Sequence, residues 1–305
     1  MLNTFKKMVM GYSAPQTPVD EITEATPLFK TSLWQPTNNG FSHKYKELES
    51  IIAADAVNLN SAYPTVGADF NLKDRDIAFF AGTREVHVNT VDQLNGGNLD
   101  AYLSEEMPEV FQSTLMNVSF DFYYNVIRPF AKAKSKLVSA TASPSGNIYS
   151  SMYFVRWQKG QMAGLVNDAW AGSKGGVFTA TKLSGGDRYK NADQKSVYGV
   201  DIEMPLGFLP ANGRNVSGIV NIDLSTITNA DLGALVTNAL VQSRVGSGGT
   251  TVAYAPPTLV ARIAQLDEAQ MLGTADNGLL STMLNGVQIV ADWNLLDGTE
   301  APYTL

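Results

Sequence analysis

Side chains able to act as acids, bases, nucleophiles or metal ligands are thinly spread in this chain of 305 residues. There is no cysteine, which removes disulfides, thiol nucleophiles and thiolate metal sites, and there are two histidines, His43 and His87. Neither histidine belongs to a spaced ligand pattern such as HExxH, so both are expected at the surface. The glycine-rich run VGSGGT at 245–250 lacks the lysine that follows the glycines of a phosphate-binding loop, and is expected to be a flexible turn. The paired carboxylates Asp74 with Asp76, and Glu105 with Glu106, sit in polar runs where solvation is the expected state. A catalytic acid needs an environment that raises its pKa, and neither run offers one. Ser13 in GYSAP lacks the GxSxG elbow, and the sequons at Asn117 and Asn215 fall inside expected regular structure. No catalytic, cofactor-binding or metal-binding residue is assigned, no cofactor is expected, and the chain reads as a non-enzyme.

With 44% hydrophobic and 17% charged residues the chain is globular, long enough for roughly two domains. A net charge of -7 argues against nucleic-acid binding as the main task, because phosphate recognition needs a concentrated basic face and only Lys6 and Lys7 form a basic pair. No run is long and apolar enough for a membrane helix. The start, MLNTFKKMVMGYSAPQ, is too short and interrupted for a signal peptide, so cytoplasmic synthesis is expected.

The longest periodic element runs from Asn98 to about Arg128 and reads as one helix of roughly 45 Å. Asn98 is its candidate N-cap, Asp100, Glu105 and Glu106 suit the positive end of the helix dipole, and Pro129 closes it. Leu99, Leu103, Val110, Leu115, Val118, Phe122 and Val126 trace its apolar stripe, and Pro108 predicts a kink or restart. Before it, residues 1 to 40 carry four prolines and little periodicity, which predicts an extended arm whose Leu28, Phe29, Leu33 and Trp34 need a partner to bury against. Residues 41 to 84 predict a long two-stranded loop, polar in the middle and apolar at its ends. After the helix, SSMYFVRWQKGQMAGLV predicts a hairpin turning at Lys159-Gly160, and a β-rich tract continues to GRNVSGIVNIDLS. The last 80 residues or so read as a separate compact α/β domain. They hold a helix capped by Asn229 with Leu232, Leu235, Val236, Ala239 and Leu240 on one face, a helix opened by Pro257, and a strand after an Asn285-Gly286 turn.

Several runs resemble the major capsid proteins of tailed bacteriophages, the Hong Kong 97-type fold, in the branch found in several short-tailed phages. They are ATPLFKTSLWQPTNNG, NLDAYLSEEMPEVFQSTLMNVSFDFYYNV, NIYSSMYFVRWQKGQMAGLVND, IEMPLGFLPANGRNVSGIVNIDLS and LNGVQIVADWNLLDGTEA. The resemblance implies an α+β fold with an N-terminal arm (1–40), an extended E-loop (41–84), a peripheral domain (85–223) holding the spine helix at about 98–128, and an α/β axial domain (224–305). It implies a shell of pentamers and hexamers around packaged double-stranded DNA, bound without sequence specificity. A portal protein at one vertex and separate scaffolding and cement or decoration proteins are the implied partners; the virion capsid, assembled in the host cytoplasm, is the implied location. No membrane partner is implied. Leu28, Phe29, Leu33, Trp34, Phe70 and Ile77 are the expected inter-subunit contacts, and the VGSGGT loop is expected near a capsomer axis. Lys44, Lys46 and Lys73 cannot be matched to the E-loop lysine that some members weld to a neighbour, so no covalent cross-link is assigned. The chain begins almost at the arm, so scaffolding is expected as a separate protein or a removed piece. Two other readings stay open: an encapsulin-like compartment around a cargo enzyme, and an enzyme or glycan-binding β protein.

Overall fold

The computed structural model describes residues 26–52, 67–174, 176–243, 248–266, 273–274 and 280–305. The chain enters through a one-turn helix α1 (Pro27–Thr31), opened by a proline whose missing N–H costs nothing at that position, and a short strand β1 (Trp34–Pro36). Strands β2 (Ser42–Ile52) and β3 (Gly67–Asp76) then form an antiparallel hairpin as expected, with a register irregularity between Leu48 and Ser50. The hairpin ends at Asp76. From Ala78 the chain belongs to a different sheet, because β4 (Ala78–His87) pairs with a strand more than a hundred residues later.

A short helix α2 (Val88–Asn95) leads into the long helix α3 (Leu99–Asp121). The Asn98 side chain accepts from the Ala101 N–H, so the expected cap is in place. Pro108 does not restart the helix: α3 runs through it from Leu99 to Asp121. An interior proline costs roughly 3 kcal/mol. Leu103, Met107 and Phe111 are buried around it. At about 1.5–3 kcal/mol for each such side chain, packing outweighs the lost hydrogen bond. The irregular turn comes later, as a π-helical stretch from Phe122 to Ile127, and the helix then continues past Pro129 as α4 (Arg128–Ala133) instead of ending at Arg128. A wider turn is one way for a helix to admit a proline, since it relieves the crowding of the carbonyl four residues earlier.

The strands that follow are β5 (Leu137–Ser139), β6 (Ser150–Trp157) and β7 (Met162–Val166). Sequence patterning makes β6 and β7 a hairpin; the structure corrects this. Lys159-Gly160 does form a tight turn, but it sends the two strands into different sheets. After α5 (Asp168–Lys174) come β8 (Thr179–Lys182), β9 (Tyr189–Lys190) and the long β10 (Ser196–Pro210), which organises the first sheet in the order β1-β7-β10-β4, with β8 and β9 also on β10.

The second sheet brings in β11 (Val216–Ile222), β12 (Thr250–Ala255), β13 (Gly273–Thr274), β14 (Leu280–Leu284) and β15 (Val287–Ala291). Its order is β13-β14-β15-β12-β6-β11-β5, so strands from the middle of the chain lie in one sheet with the C-terminal ones, and the last 80 residues are not the separate unit expected. Period-two alternation explains the join. On β6, Tyr153, Val155 and Trp157 face the cluster of the long helix, while Met152 and Phe154 face the opposite cluster. That second cluster is covered by α6 (Asn229–Gln242) and α7 (Pro257–Ile263), through Leu232, Val236, Ala239 and Leu240 and through Leu259, Val260 and Ile263. The N-cap of α6 is Thr228, one residue before the expected Asn229; its hydroxyl accepts from the Asp231 N–H at 3.1 Å. Asn285-Gly286 makes the expected turn, with positive φ at both residues.

Candidate assembly surfaces

The arm residues lie inside the chain's own core. Leu28, Phe29 and Trp34 are buried in one cluster with Leu115, Val118 and Phe122 of the long helix, and Leu33 packs partly buried against it. Trp34 stacks on Phe29 at 5.5 Å between ring centres and tilts against Phe208 at 5.7 Å. Gly164 on β7 makes room for it, because a Cβ there would sit 2.4 Å from the indole. The described part of the expected arm is therefore a packed helix and strand up to Pro36 and not an unpacked segment, while residues 1–25 lie outside the described residues. Ile77 is also buried at home, with Leu165 and Leu209, where a neighbour's surface was expected to cover it. Phe70 lies on β3, with its side chain outside the described residues. Half of the VGSGGT loop, 245–247, is outside them too.

Both histidines and Glu106, among the residues singled out for chemistry, have structural roles, while Ser13 lies outside the described residues. His87 caps α2 by accepting from the Asn89 N–H, and His43 stands 3.5 Å from the Gln35 amide, with burial pushing its pKa down. Glu106 pairs with Arg84, and no group of three ligands that could hold a metal occurs among the described residues. None of their helices is long and apolar enough to cross a membrane.

Sequence patterning missed a buried polar centre where the long helix meets the second sheet. Arg128 donates to the Tyr153 hydroxyl at 2.6 Å, to Ser151 at 3.1 Å and to the Glu300 carboxylate, while its guanidinium lies 4.4 Å from the Tyr124 ring centre and 4.8 Å from that of Tyr303. Asn221 holds the Tyr303 backbone reciprocally, at 2.8 Å in each direction. Nearby, the Tyr123 hydroxyl donates to buried Asp292 at 2.7 Å, and burial pushes the Asp292 pKa up. These contacts strap the C-terminal segment across the helix and sheet. The signal available was Asp292 standing alone in the apolar run VADWNLL; Glu300 gave none.

The surface contrasts with this interior. The described part of the hairpin is mostly exposed on β3, with Leu72 70% exposed. At its base Phe41, Phe79 and Trp170 form a mutually contacting aromatic cluster with centroid separations of 4.8, 5.7 and 5.9 Å, and Phe41 and Phe79 remain exposed. Two shallow grooves of 590 and 520 Å³ flank α6, lined by small and polar residues such as Gly233, Thr237 and Asn238. Exposed aromatic and aliphatic patches suit contact with another protein surface.

No family profile and no curated protein matches the chain. Solved structures do. A chain in the near-atomic cryo-EM structure of bacteriophage Epsilon15 is similar over 88% of both chains, at 15% identity and a TM-score of 0.57. The capsid of bacteriophage JBD30 is similar over 93% of this chain and 95% of that one, at 11% identity and a TM-score of 0.49. The holo-SrpI encapsulin complex of Synechococcus elongatus PCC 7942 is similar over 71% and 93%, at 11% identity and a TM-score of 0.44. The fold of this chain is thus shared with a chain of a phage structure over 88% of both, and its α+β architecture is the Hong Kong 97-type fold.

Proposed function

We propose that the chain is the major capsid protein of a tailed double-stranded DNA bacteriophage, a structural protein that assembles as pentamers and hexamers into an icosahedral shell around the packaged genome. The observation that carries this reading is the fold shared with a phage structure over 88% of both chains. In it, α1 and β1 end the N-terminal arm, the β2–β3 hairpin is the E-loop, the first sheet with the long helix is the peripheral domain, and α6, α7 and the edge of the second sheet form the axial domain. A two-stranded hairpin has too little core to stand alone, so a neighbouring subunit is the natural cover for its outer part. The net charge of -7 also suits a container, since a wall that gripped DNA would resist packing and release. Portal, scaffolding and cement proteins are the partners this reading brings with it.

Electron microscopy of the purified protein tests it: closed shells are expected, and a monomer on a sizing column that never assembles overturns it. Particles from the native source should contain nucleic acid; an enzyme cargo in its place would move the reading to an encapsulin-like compartment. Phe70→Asp should block shells while circular dichroism shows a folded subunit. Ile77→Asp should instead unfold the base of the hairpin, because Ile77 is buried in its own chain.

A further inference from the structure

The hairpin meets the body through a small apolar base and a few polar ties. The base holds Ile77, Leu165 and Leu209, with Tyr45 and Ala211 packed against them. Near it, Arg75 Nε donates to the Phe208 carbonyl at 3.3 Å, and Asn38 bridges both backbone groups of Lys44 at 2.8 and 2.7 Å. These ties lie within two residues of the closing pair Ser42 and Asp76. Glu47, opposite Asn71, is five residues up β2 from Ser42. At about 3.4 Å per residue that is roughly 17 Å from Ser42 and about 7 Å beyond Tyr45, the outermost hairpin residue packed on the base. A contact beyond the base restrains the angle of the hairpin with more leverage than one at the hinge.

Glu47 accepts from Lys134 Nζ at 2.6 Å and is also paired with Lys73 on β3. Lys134 and then Lys73 hold the Glu47 carboxyl below its ordinary pKa, so it stays charged. Lys134 is set in place from behind. It closes α4, its ammonium lies 5.9 Å from the Phe130 ring centre, and its stem crosses Gly213 so closely that a Cβ there would sit 2.8 Å from Lys134 Cγ. A long flexible side chain laid over a glycine and aimed at one carboxylate is more than a chance surface pair. At the same time the lysine is 39% exposed, and solvent-exposed ion pairs are weak enough to open and reclose.

We propose that Lys134 and Glu47 form a latch that sets the angle at which the β2–β3 hairpin leaves the body, with Gly213 as the seat for the Lys134 stem. Held, the hairpin keeps one direction; released, it pivots on the Ile77 base without unfolding either core. The latch is a property of the single chain, and only its use in shell building rests on the capsid reading.

Hydrogen–deuterium exchange on the full, unassembled chain tests it. Glu47→Gln and Lys134→Met should each raise exchange several-fold across the body-facing part of the hairpin, with the thermal midpoint unchanged. The double variant should add nothing further, because both changes cut one contact. Gly213→Ala should have the same effect without touching either charge. Unchanged exchange in all of these would overturn the latch and leave the base as the sole restraint. A general rise in exchange with a lowered midpoint would also overturn it, since the residues would then be holding the fold and not an angle.

Discussion

Two ion pairs at opposite ends of α4 use similar chemistry under opposite conditions. Arg128 and Glu300 meet with side chains only 9% and 3% exposed, inside a shell of Tyr124, Tyr153, Ser151 and Tyr303. Lys134 and Glu47 meet six residues later at a surface. Burial strengthens Coulomb attraction and makes a lost partner expensive, because the remaining charge has no water to fall back on. The first pair therefore behaves as a fixed joint between the long helix, β6 and the C-terminal strap. The second is adjustable, because water competes for both of its ends.

Removing Glu300 breaks this comparison hardest. Glu300→Ala should strand Arg128 and cost about 3–5 kcal/mol, read as a lowered urea midpoint. A loss under 1 kcal/mol would mean that the aromatic rings alone hold the guanidinium. Asp292 sharpens the comparison, being a buried acid whose hydrogen-bond partners Tyr123 and Asn294 are neutral. Burial raises its folded pKa, so the folded chain binds a proton that the unfolded chain has already released. Its contribution must weaken stability as pH rises from the ordinary carboxylate range through the raised value, and restore it as pH falls. Asp292→Asn keeps an acceptor for Asn294 and should flatten that slope; an unaltered pH profile of the urea midpoint would assign the slope to other groups. The smallest effect belongs to Lys73→Met. It leaves Lys134 on Glu47 and should change stability by about 0–1 kcal/mol, and less at high salt. A larger loss would make Lys73 part of the hairpin's packing instead.

The aromatic cluster at the hairpin base offers a further test of which surfaces are adjustable. Phe79→Ser removes one ring of the Phe41, Phe79 and Trp170 group, which is largely exposed, and should lower the midpoint little. If the cluster meets a second subunit, the same change should reduce shell yield well beyond its effect on the single chain.

Much of the architecture was legible in the residues themselves. The Asn98 cap, the apolar stripe of the long helix, the face of α6 and the Asn285-Gly286 turn depend on local rules, namely capping, helical periodicity and left-handed turn geometry, and the structure bears them out. Thr228 in place of Asn229 as a cap is the one-residue slip to which helix ends are prone.

Tertiary structure alone decided which strands became neighbours and which polar groups went inside. Alternation on β6 and β7 says which residues face a core, but period-two patterning carries no label for the partner strand, so a tight turn that crosses between sheets looks like a hairpin. Leu28, Phe29, Trp34 and Ile77 announced a need for burial in the same way, and only the fold could settle whether the cover came from their own chain. Glu300 was invisible for the same reason. Arg128 and Ser151, both more than a hundred residues away, converge on its carboxylate in the core, and that convergence is a property of the packed chain, not of any stretch of it.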